Sequence, residues 1–141
     1  MDWTIETILI PVTDVDRAKA FYADQLGFHL DVDHRPSESF RVVQLTPPGS
    51  SCSITMGVGI TDAAPGSVRG THLVVADIEA AHAQLVAAGV DCSGITHFES
   101  GAMVDGPDPR RGDYESYVHF SDPDGNTWAV QEVPSRAIAG S

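Results

Sequence analysis

The sequence has the size and composition of a folded domain, with a strong excess of acidic residues. Its 141 residues are 42% hydrophobic and 20% charged, which excludes a disordered or fibrous chain. Eight Lys and Arg against 20 Asp and Glu give a net charge of −12, which disfavours nucleic acid or an anionic membrane as a partner. The apolar runs are too short to span a bilayer, no signal peptide is visible, and two cysteines cannot form a disulfide framework. We therefore expect a cytoplasmic protein that binds neither nucleic acid nor membrane.

The first half of the chain predicts a strand, a helix and three further strands. Residues 8–12 are a branched apolar run that is typical of a strand. From Val15 to Leu26 the apolar residues recur at helical spacing, with Asp14 placed to cap the helix and Gly27 to end it. Strands are then predicted over residues 28–32, 40–45 and 52–56.

The second half repeats this order after a glycine-containing linker. Residues 73–77 predict a strand, and residues 78–88 predict a helix that Asp77 caps and Gly89 ends. Asp77 follows Asp14 by 63 residues, and Gly89 follows Gly27 by 62. The last strands are predicted over residues 90–98, 114–120 and 127–133. The chain is therefore predicted to be α+β, with two βαβββ modules in tandem over about residues 5–60 and 70–133, a linker at 61–69 and a short C-terminal tail.

Two stretches carry a resemblance to a known superfamily. They are residues 12–22 (VTDVDRAKAFY), followed by Leu-Gly-Phe at 26–28, and residues 120–126 (FSDPDGN). They resemble the opening helix and the final turn of the vicinal oxygen chelate superfamily, which contains glyoxalases, bleomycin-resistance proteins and extradiol dioxygenases. The resemblance implies that the two modules form a curled mixed sheet around one cavity, and that the protein is a homodimer.

The residues of the final turn have a structural explanation of their own. Pro123 suits the second position of a tight turn, Asp122 can accept bonds from backbone amides two residues on, and Gly125 permits a positive φ. We therefore expect these acids to shape the turn, not to take part in catalysis. The Phe21-Tyr22 pair is likewise expected to pack the helix.

The resemblance also implies where metal ligands would stand. The matching positions hold Thr7 in the first strand, Gly70 in the fifth, Ala129 in the last, and Ser53 or Thr55 in the fourth, whose register the sequence leaves open. None of these is a normal ligand, because Gly and Ala have no side-chain donor and hydroxyls are weak ones. We therefore expect no metal and no other cofactor.

A displaced site is the alternative. His72 lies two residues after Gly70 and so shares its face, and His119 and Glu115 share a face if the seventh strand keeps the assumed register. These three residues would be the ligands of a divalent metal if one binds.

Two-residue alternation selects the side chains that would line the cavity. Ile8, Ile10 and Val12 suit packing under the helix, so the alternate face of the first strand is expected to face the cavity. In the third strand either Gln44 or the alternate pair Arg41 and Val43 would do so. The predicted cavity-lining residues are Thr7, Leu9, Gln44, Thr55, His72, Val74, Tyr117, His119 and Ala129.

The segment from Glu99 to Asp113 is predicted to be a long loop at the cavity entrance. It contains Arg110 and Arg111, a positive pair in an acidic chain. The pair is expected either to attract a carboxylate-bearing ligand or to offset the acids of its own loop.

Three functions remain open at this point. The first is a metal-free protein, similar to the bleomycin-resistance branch, that binds a small apolar or aromatic molecule in the inter-module cavity. The second is an enzyme of the lyase, isomerase or dioxygenase type that uses displaced ligands or acid–base chemistry by His72 or His119. The third is a structural or regulatory domain without a ligand.

Overall fold

The computed structural model describes residues 1–137, which divide into two compact units. The first unit contains Met1–Val68 and Asp122–Asn126, and the second contains Arg69–Ser121 and the chain from Thr127 onward. Each unit is built on one mixed sheet, so the predicted α+β class is confirmed, with two separate sheets that do not close. No helix in residues 1–137 is long and apolar enough to cross a membrane.

The first unit has a four-stranded sheet in the order β1-β4-β3-β2. The β1–β4 pair is parallel and the other two pairs are antiparallel. The predicted βαβββ order of this half is confirmed. In chain order the elements are β1 (Thr7–Leu9), α1 (Val15–Ala20), a π-helical turn (Phe21–Gln25), β2 (His29–Ser37), β3 (Phe40–Thr46) and β4 (Ser53–Val58).

Helix α1 begins where the sequence predicts. The Asp14 carboxylate accepts the Arg17 backbone N–H at 3.0 Å, which is the expected N-cap. Beyond Ala20 the helix widens into the π-helical turn, so the one long helix predicted up to Leu26 has two parts. Phe21 and Tyr22 are buried, which confirms their predicted role in packing.

The final turn, Asp122–Asn126, belongs to the first unit. The Asp122 Oδ1 atom accepts the backbone N–H groups of Asp124 and Asn126, both at 2.9 Å, and Gly125 has a φ of 94°. Asp122 Oδ2 accepts the Tyr22 hydroxyl at 2.7 Å. The structural role predicted for this turn is therefore confirmed.

The second unit has a five-stranded sheet in the order β5-β9-β8-β6-β7, in which only the β5–β9 pair is parallel. Helix α2 is capped as predicted, because Asp77 Oδ1 accepts the backbone N–H groups of Glu79 and Ala80 at 3.0 and 3.2 Å. In chain order the elements are β5 (Thr71–Val75), α2 (Ile78–Ala87), β6 (Thr96–Glu99), β7 (Ala102–Asp105), β8 (Ser116–Ser121), β9 (Thr127–Glu132) and a 3₁₀ turn (Pro134–Arg136).

Strand β7 corrects the prediction of a loop from Glu99 to Asp113. It pairs antiparallel with β6 through a two-residue turn at Ser100 and Gly101, whose φ angles are 52° and 82°. Two positive φ angles match the right-handed twist of a hairpin, so a Ser-Gly pair can connect two strands here. The second unit therefore has four strands after its helix, where three were predicted.

The two arginines of the predicted loop have different surroundings. Arg110 is exposed, whereas the Arg111 guanidinium donates to Glu132 at 2.8 and 2.5 Å and to Glu79 at 3.2 Å and Asp77 at 3.3 Å. Arg111 therefore offsets acids of α2 and β9, not the acids of its own loop.

Candidate ligand-binding surfaces

Each sheet has one face toward its helix and one face away from it. In β9, Glu132 Oε2 accepts the backbone N–H of Ile78 at the start of α2, so Glu132 lies on the helix side and Gln131 lies on the other. In β3, Arg41 contacts Asp16 of α1, so Gln44 lies on the side away from α1. We call the two surfaces away from the helices the helix-free faces.

The helix-free face of the five-stranded sheet carries a cluster of aromatic rings. Tyr117 lies at its centre and has a parallel neighbour in His119, with ring centroids 6.0 Å apart and planes at 9°. The rings of Phe98 and His72 meet Tyr117 edge-on, at centroid distances of 6.0 and 6.5 Å. Edge-on and parallel pairs at these distances are the favourable aromatic geometries.

Apolar side chains beside this cluster are accessible to solvent. Phe98 is 53% exposed, Met103 41% and Val74 38%. Ala129 pairs in register with both His72 and His119, so its small side chain separates the two imidazoles along the sheet. The face thus offers rings and methyl-rich side chains to which a flat apolar molecule can bind.

One buried amide orients the centre of the cluster. Gln131 Nε2 donates to the Tyr117 hydroxyl oxygen at 2.9 Å and to the Tyr114 backbone carbonyl at 3.1 Å. Gln131 is buried, whereas Tyr117 is half-buried. The phenol is therefore held in one position by a side chain of the neighbouring strand.

The helix-free face of the four-stranded sheet combines paired hydroxyls with the exposed apolar side chains of Leu9 and Phe40. The Thr7 and Thr55 hydroxyls lie 2.6 Å apart, and those of Thr46 and Ser53 lie 2.7 Å apart. Thr46 also donates to Asp31, and this bond, with a further one from His29, holds the pKa of the Asp31 carboxyl below its usual value.

The predicted cavity-lining residues therefore lie on these two faces. In β1, β3 and β4 the alternation of side chains shows which residues lie on the helix-free face. In β5, β8 and β9 the register of the strand pairs shows it. Thr7, Leu9, Gln44 and Thr55 lie on the four-stranded sheet, and His72, Val74, Tyr117, His119 and Ala129 on the five-stranded sheet.

The structure gives the register of the fourth strand, β4, against β1. Both Ser53 and Thr55 share the face of Thr7, and Thr55 is the hydrogen-bond partner of Thr7. Phe98 was predicted to lie in a strand but was not selected as a lining residue, and Met103 was missed because its strand β7 was predicted to be a loop. The Ser-Gly pair between two runs containing apolar residues is the sequence feature that indicates this hairpin.

The positions implied for a metal do not fit one. The Thr7 and Thr55 hydroxyls bind each other, Gly70 precedes β5, and Ala129 offers only a methyl group. This donor set lacks the imidazoles and carboxylates that hold a divalent ion. Glu115, the third member of the displaced set, precedes β8 instead of lying within it. In residues 1–137 no group of three or more His, Cys, Asp or Glu is arranged to hold a metal ion.

A second feature of this unit is a depression of about 330 Å³ beside β6. The imidazole of His97 lies at its side and hydrogen bonds through Nδ1 to the Gly106 carbonyl at 2.7 Å and through Nε2 to Glu99 at 3.1 Å. The Gly106 carbonyl, and then Glu99, raise the pKa of His97 because both favour the protonated ring. His97 is thus a buried structural histidine, and the depression is otherwise lined by Phe98, Glu99, Asp108, Pro109 and Arg110.

Comparisons with known proteins agree with this architecture. The model of the Glyoxalase/Bleomycin resistance protein/Dioxygenase superfamily matches residues 4–130. TnmS3, an antibiotic-binding protein from Streptomyces sp. CB03234, is 30% identical, with a TM-score of 0.72 over 94% of this chain and 97% of its own. A glyoxalase/bleomycin resistance protein from the same organism is also 30% identical, with a TM-score of 0.69 over 92% of this chain and 100% of its own.

A third solved structure is more distant. It is a member of the same superfamily from Sphaerobacter thermophilus DSM 20745, 27% identical, with a TM-score of 0.71 over 93% of this chain and 98% of its own. Comparison with curated proteins finds no significant match. The match of the family model to almost the whole chain, on the fold described above, means that this chain belongs to the Glyoxalase/Bleomycin resistance protein/Dioxygenase superfamily.

Proposed function

We propose that this protein binds a small, flat aromatic molecule without a metal, on the helix-free face of the five-stranded sheet. The observation that carries the proposal is the ring cluster of Tyr117, His119, His72 and Phe98, with its accessible apolar neighbours. Such rings bind planar ligands by stacking and by edge-on contact. TnmS3, which is similar over nearly its whole length, is an antibiotic-binding protein, and this supports the same class of function here.

The charge of the chain narrows the class of ligand. With a net charge of −12 the protein repels anions at long range and attracts cations. We therefore propose a neutral or cationic aromatic compound. Binding without a metal follows from the donor set at the superfamily positions, which provides hydroxyls, a methyl group and a glycine.

Thermal unfolding in the presence of ligands tests the proposal. A ligand that binds only the native state raises the melting temperature. At a free ligand concentration of 100 times its Kd, it adds about 2.7 kcal/mol to the free energy of unfolding. We expect a panel of neutral and cationic aromatic compounds to contain members that stabilise the protein, whereas anionic analogues of the same rings do not. The response should be the same before and after treatment with EDTA.

The Tyr117→Ala variant assigns the response to the proposed face. We expect it to lose most of the ligand-induced shift, because the central ring of the cluster is removed. Phe40→Ala is the matched control, since Phe40 is a 39% exposed aromatic residue of the four-stranded sheet, outside the proposed face. An equal loss in both variants, or none in Tyr117→Ala, would place the ligand elsewhere. Conversion of the bound compound to a product would favour the enzyme hypothesis instead.

We also propose that the protein is a homodimer. Trp3 and Ile5, which precede β1, are 88% and 70% exposed, and large apolar side chains on a surface favour burial against a partner. Light scattering should give twice the 15.0 kDa of one chain, and Trp3→Ser combined with Ile5→Ser should shift the mass toward the monomer. A monomeric mass at all concentrations would contradict the proposal.

A further inference from the structure

We propose that the Tyr117 hydroxyl is a fixed hydrogen-bond donor toward the ligand, so that the ligand carries an acceptor oxygen or nitrogen on its aromatic ring system. This inference rests on the proposed function and adds that the polar group recognised on the ligand is a hydrogen-bond acceptor. It depends on the direction of two hydrogen bonds made by one amide.

The orientation of the Gln131 amide is determined by Tyr114. The group that faces the amide is the Tyr114 backbone carbonyl, at 3.1 Å, and a carbonyl only accepts. The Gln131 atom that faces it must therefore be Nε2, because the opposite orientation would put two acceptor oxygens together. The Tyr114 backbone is itself held in place, because its N–H donates to the Glu132 carbonyl at 2.8 Å.

The direction of the second bond follows from the first. Nε2 carries two protons, and the second points to the Tyr117 hydroxyl oxygen at 2.9 Å. The phenol oxygen therefore accepts from Gln131, and its own proton cannot point back at the amide. Within residues 1–137 Gln131 is the hydrogen-bond partner of this oxygen, so the phenol proton is available to a ligand.

The position of Tyr117 makes this proton matter for specificity. The ring lies between His119 on one side and Phe98 and His72 at its edges, so a flat molecule that contacts these rings comes close to the hydroxyl. An acceptor on that molecule gains a hydrogen bond, whereas a donor at the same place meets another donor and loses its bond to water. Gln131 is thus a positioning residue, and the Tyr117 hydroxyl is the specificity determinant.

Three fused-ring probes of similar size test the inference. Coumarin carries a ring carbonyl acceptor, naphthalene has no polar group, and indole has an N–H donor. We expect calorimetric titration of the full chain to give a coumarin affinity about fivefold above that of naphthalene, with indole no better than naphthalene. In Tyr117→Phe the coumarin affinity should fall about fivefold to that of naphthalene, and the naphthalene affinity should stay unchanged.

Two further variants separate the hydroxyl from general effects on the fold. Tyr22→Phe removes a phenol hydroxyl of the first unit, outside the proposed face, and should leave all three affinities unchanged. Gln131→Leu frees the Tyr117 oxygen to accept, so indole should bind more tightly than in the wild type, a change that simple loss of packing does not produce.

The outcomes distinguish this inference from the proposed function. Binding of all three probes with equal affinity by the wild type, or an equal loss of coumarin and naphthalene affinity in Tyr117→Phe, would overturn the inference and leave ring binding intact. Failure of the wild type to bind any of the three would overturn both.

Discussion

Glu132 and Arg111 form the most deeply buried ion pair of the second unit among the described residues. Glu132, the last residue of β9, is 0% exposed on the packed side of the strand, and two nitrogens of the Arg111 guanidinium donate to its two oxygens at 2.8 and 2.5 Å. The same carboxylate accepts the first backbone N–H of α2, from Ile78, at 2.7 Å. One arginine of an irregular segment therefore neutralises a carboxylate that joins a strand to the start of a helix.

Removal of Arg111 should destabilise the protein strongly. Arg111→Met leaves a buried carboxylate without its cation, and we expect a loss of about 3 kcal/mol in the free energy of unfolding, measured with urea. Arg110→Met is the matched control, because Arg110 is exposed, and it should change stability by less than about 0.5 kcal/mol. Similar losses in the two variants would mean that charge, not the contact with Glu132, sets the stability.

The same pair should make the protein sensitive to acid. The hydrogen bonds from Arg111, and then the Ile78 backbone N–H, lower the pKa of Glu132 below its ordinary 4.5, although burial opposes this. A lowered pKa in the folded state means that this stabilisation is complete above pH 4.5 and is lost as the pH falls through the folded value. Unfolding measured from pH 6 to pH 3 should therefore show a flatter acid limb in Glu132→Gln than in the wild type; parallel limbs would contradict the assignment.

His97 should have the opposite pH dependence. Its pKa lies above the ordinary 6.5, mainly because of the hydrogen bond to the Gly106 carbonyl. The stabilisation of the fold by protonated His97 is therefore complete below pH 6.5 and is lost as the pH rises through the pKa of His97 in the folded protein. We expect the melting temperature of the wild type to fall between pH 6.5 and pH 8.5 by more than that of His97→Gln. His34→Gln, which changes an exposed histidine in the first unit, should retain the wild-type slope.

The Tyr22 hydroxyl should stabilise the first unit. It donates to Asp122 at 2.7 Å from a buried position, and Tyr22→Phe removes that bond while keeping the ring. Because Asn126 still donates to the same carboxylate oxygen, we expect a loss of only about 1–2 kcal/mol in the free energy of unfolding. Tyr114→Phe, in which the lost hydroxyl is exposed, should be neutral.

Metal removal should have no effect on stability or on ligand binding. The positions that the resemblance implies for a metal hold Thr7, Gly70, Ala129 and Ser53 or Thr55, and we expect this set of groups to give EDTA no ion to remove. Elemental analysis of untagged protein should find no stoichiometric divalent metal. A melting temperature that falls on chelation and recovers with one added metal would contradict the proposal of metal-free binding.

The order of the helices and strands could be predicted from sequence because it depends on local patterns. Asp14 and Asp77 cap the two helices as expected, since a cap needs only a short side chain next to the first turn. The turn at Asp122–Asn126 was equally predictable from its own five residues. Strand β7 was not, because the glycines and prolines around it suggested a loop, and only pairing with β6 makes those residues a strand.

Part of the candidate site could likewise be predicted from sequence, and part depends on tertiary contacts. Alternation along single strands was sufficient to select Tyr117, His119 and His72, because the period of a strand is local. Tertiary structure alone decided that Phe98 joins them and that Arg111 binds Glu132, since these contacts depend on register and folding between distant segments. The direction in which Gln131 points its amide also depends on a carbonyl 17 residues away in the chain. The sequence by itself therefore determined the superfamily and the order of elements in the first module, and the tertiary structure decided which side chains from distant segments share a face of each sheet.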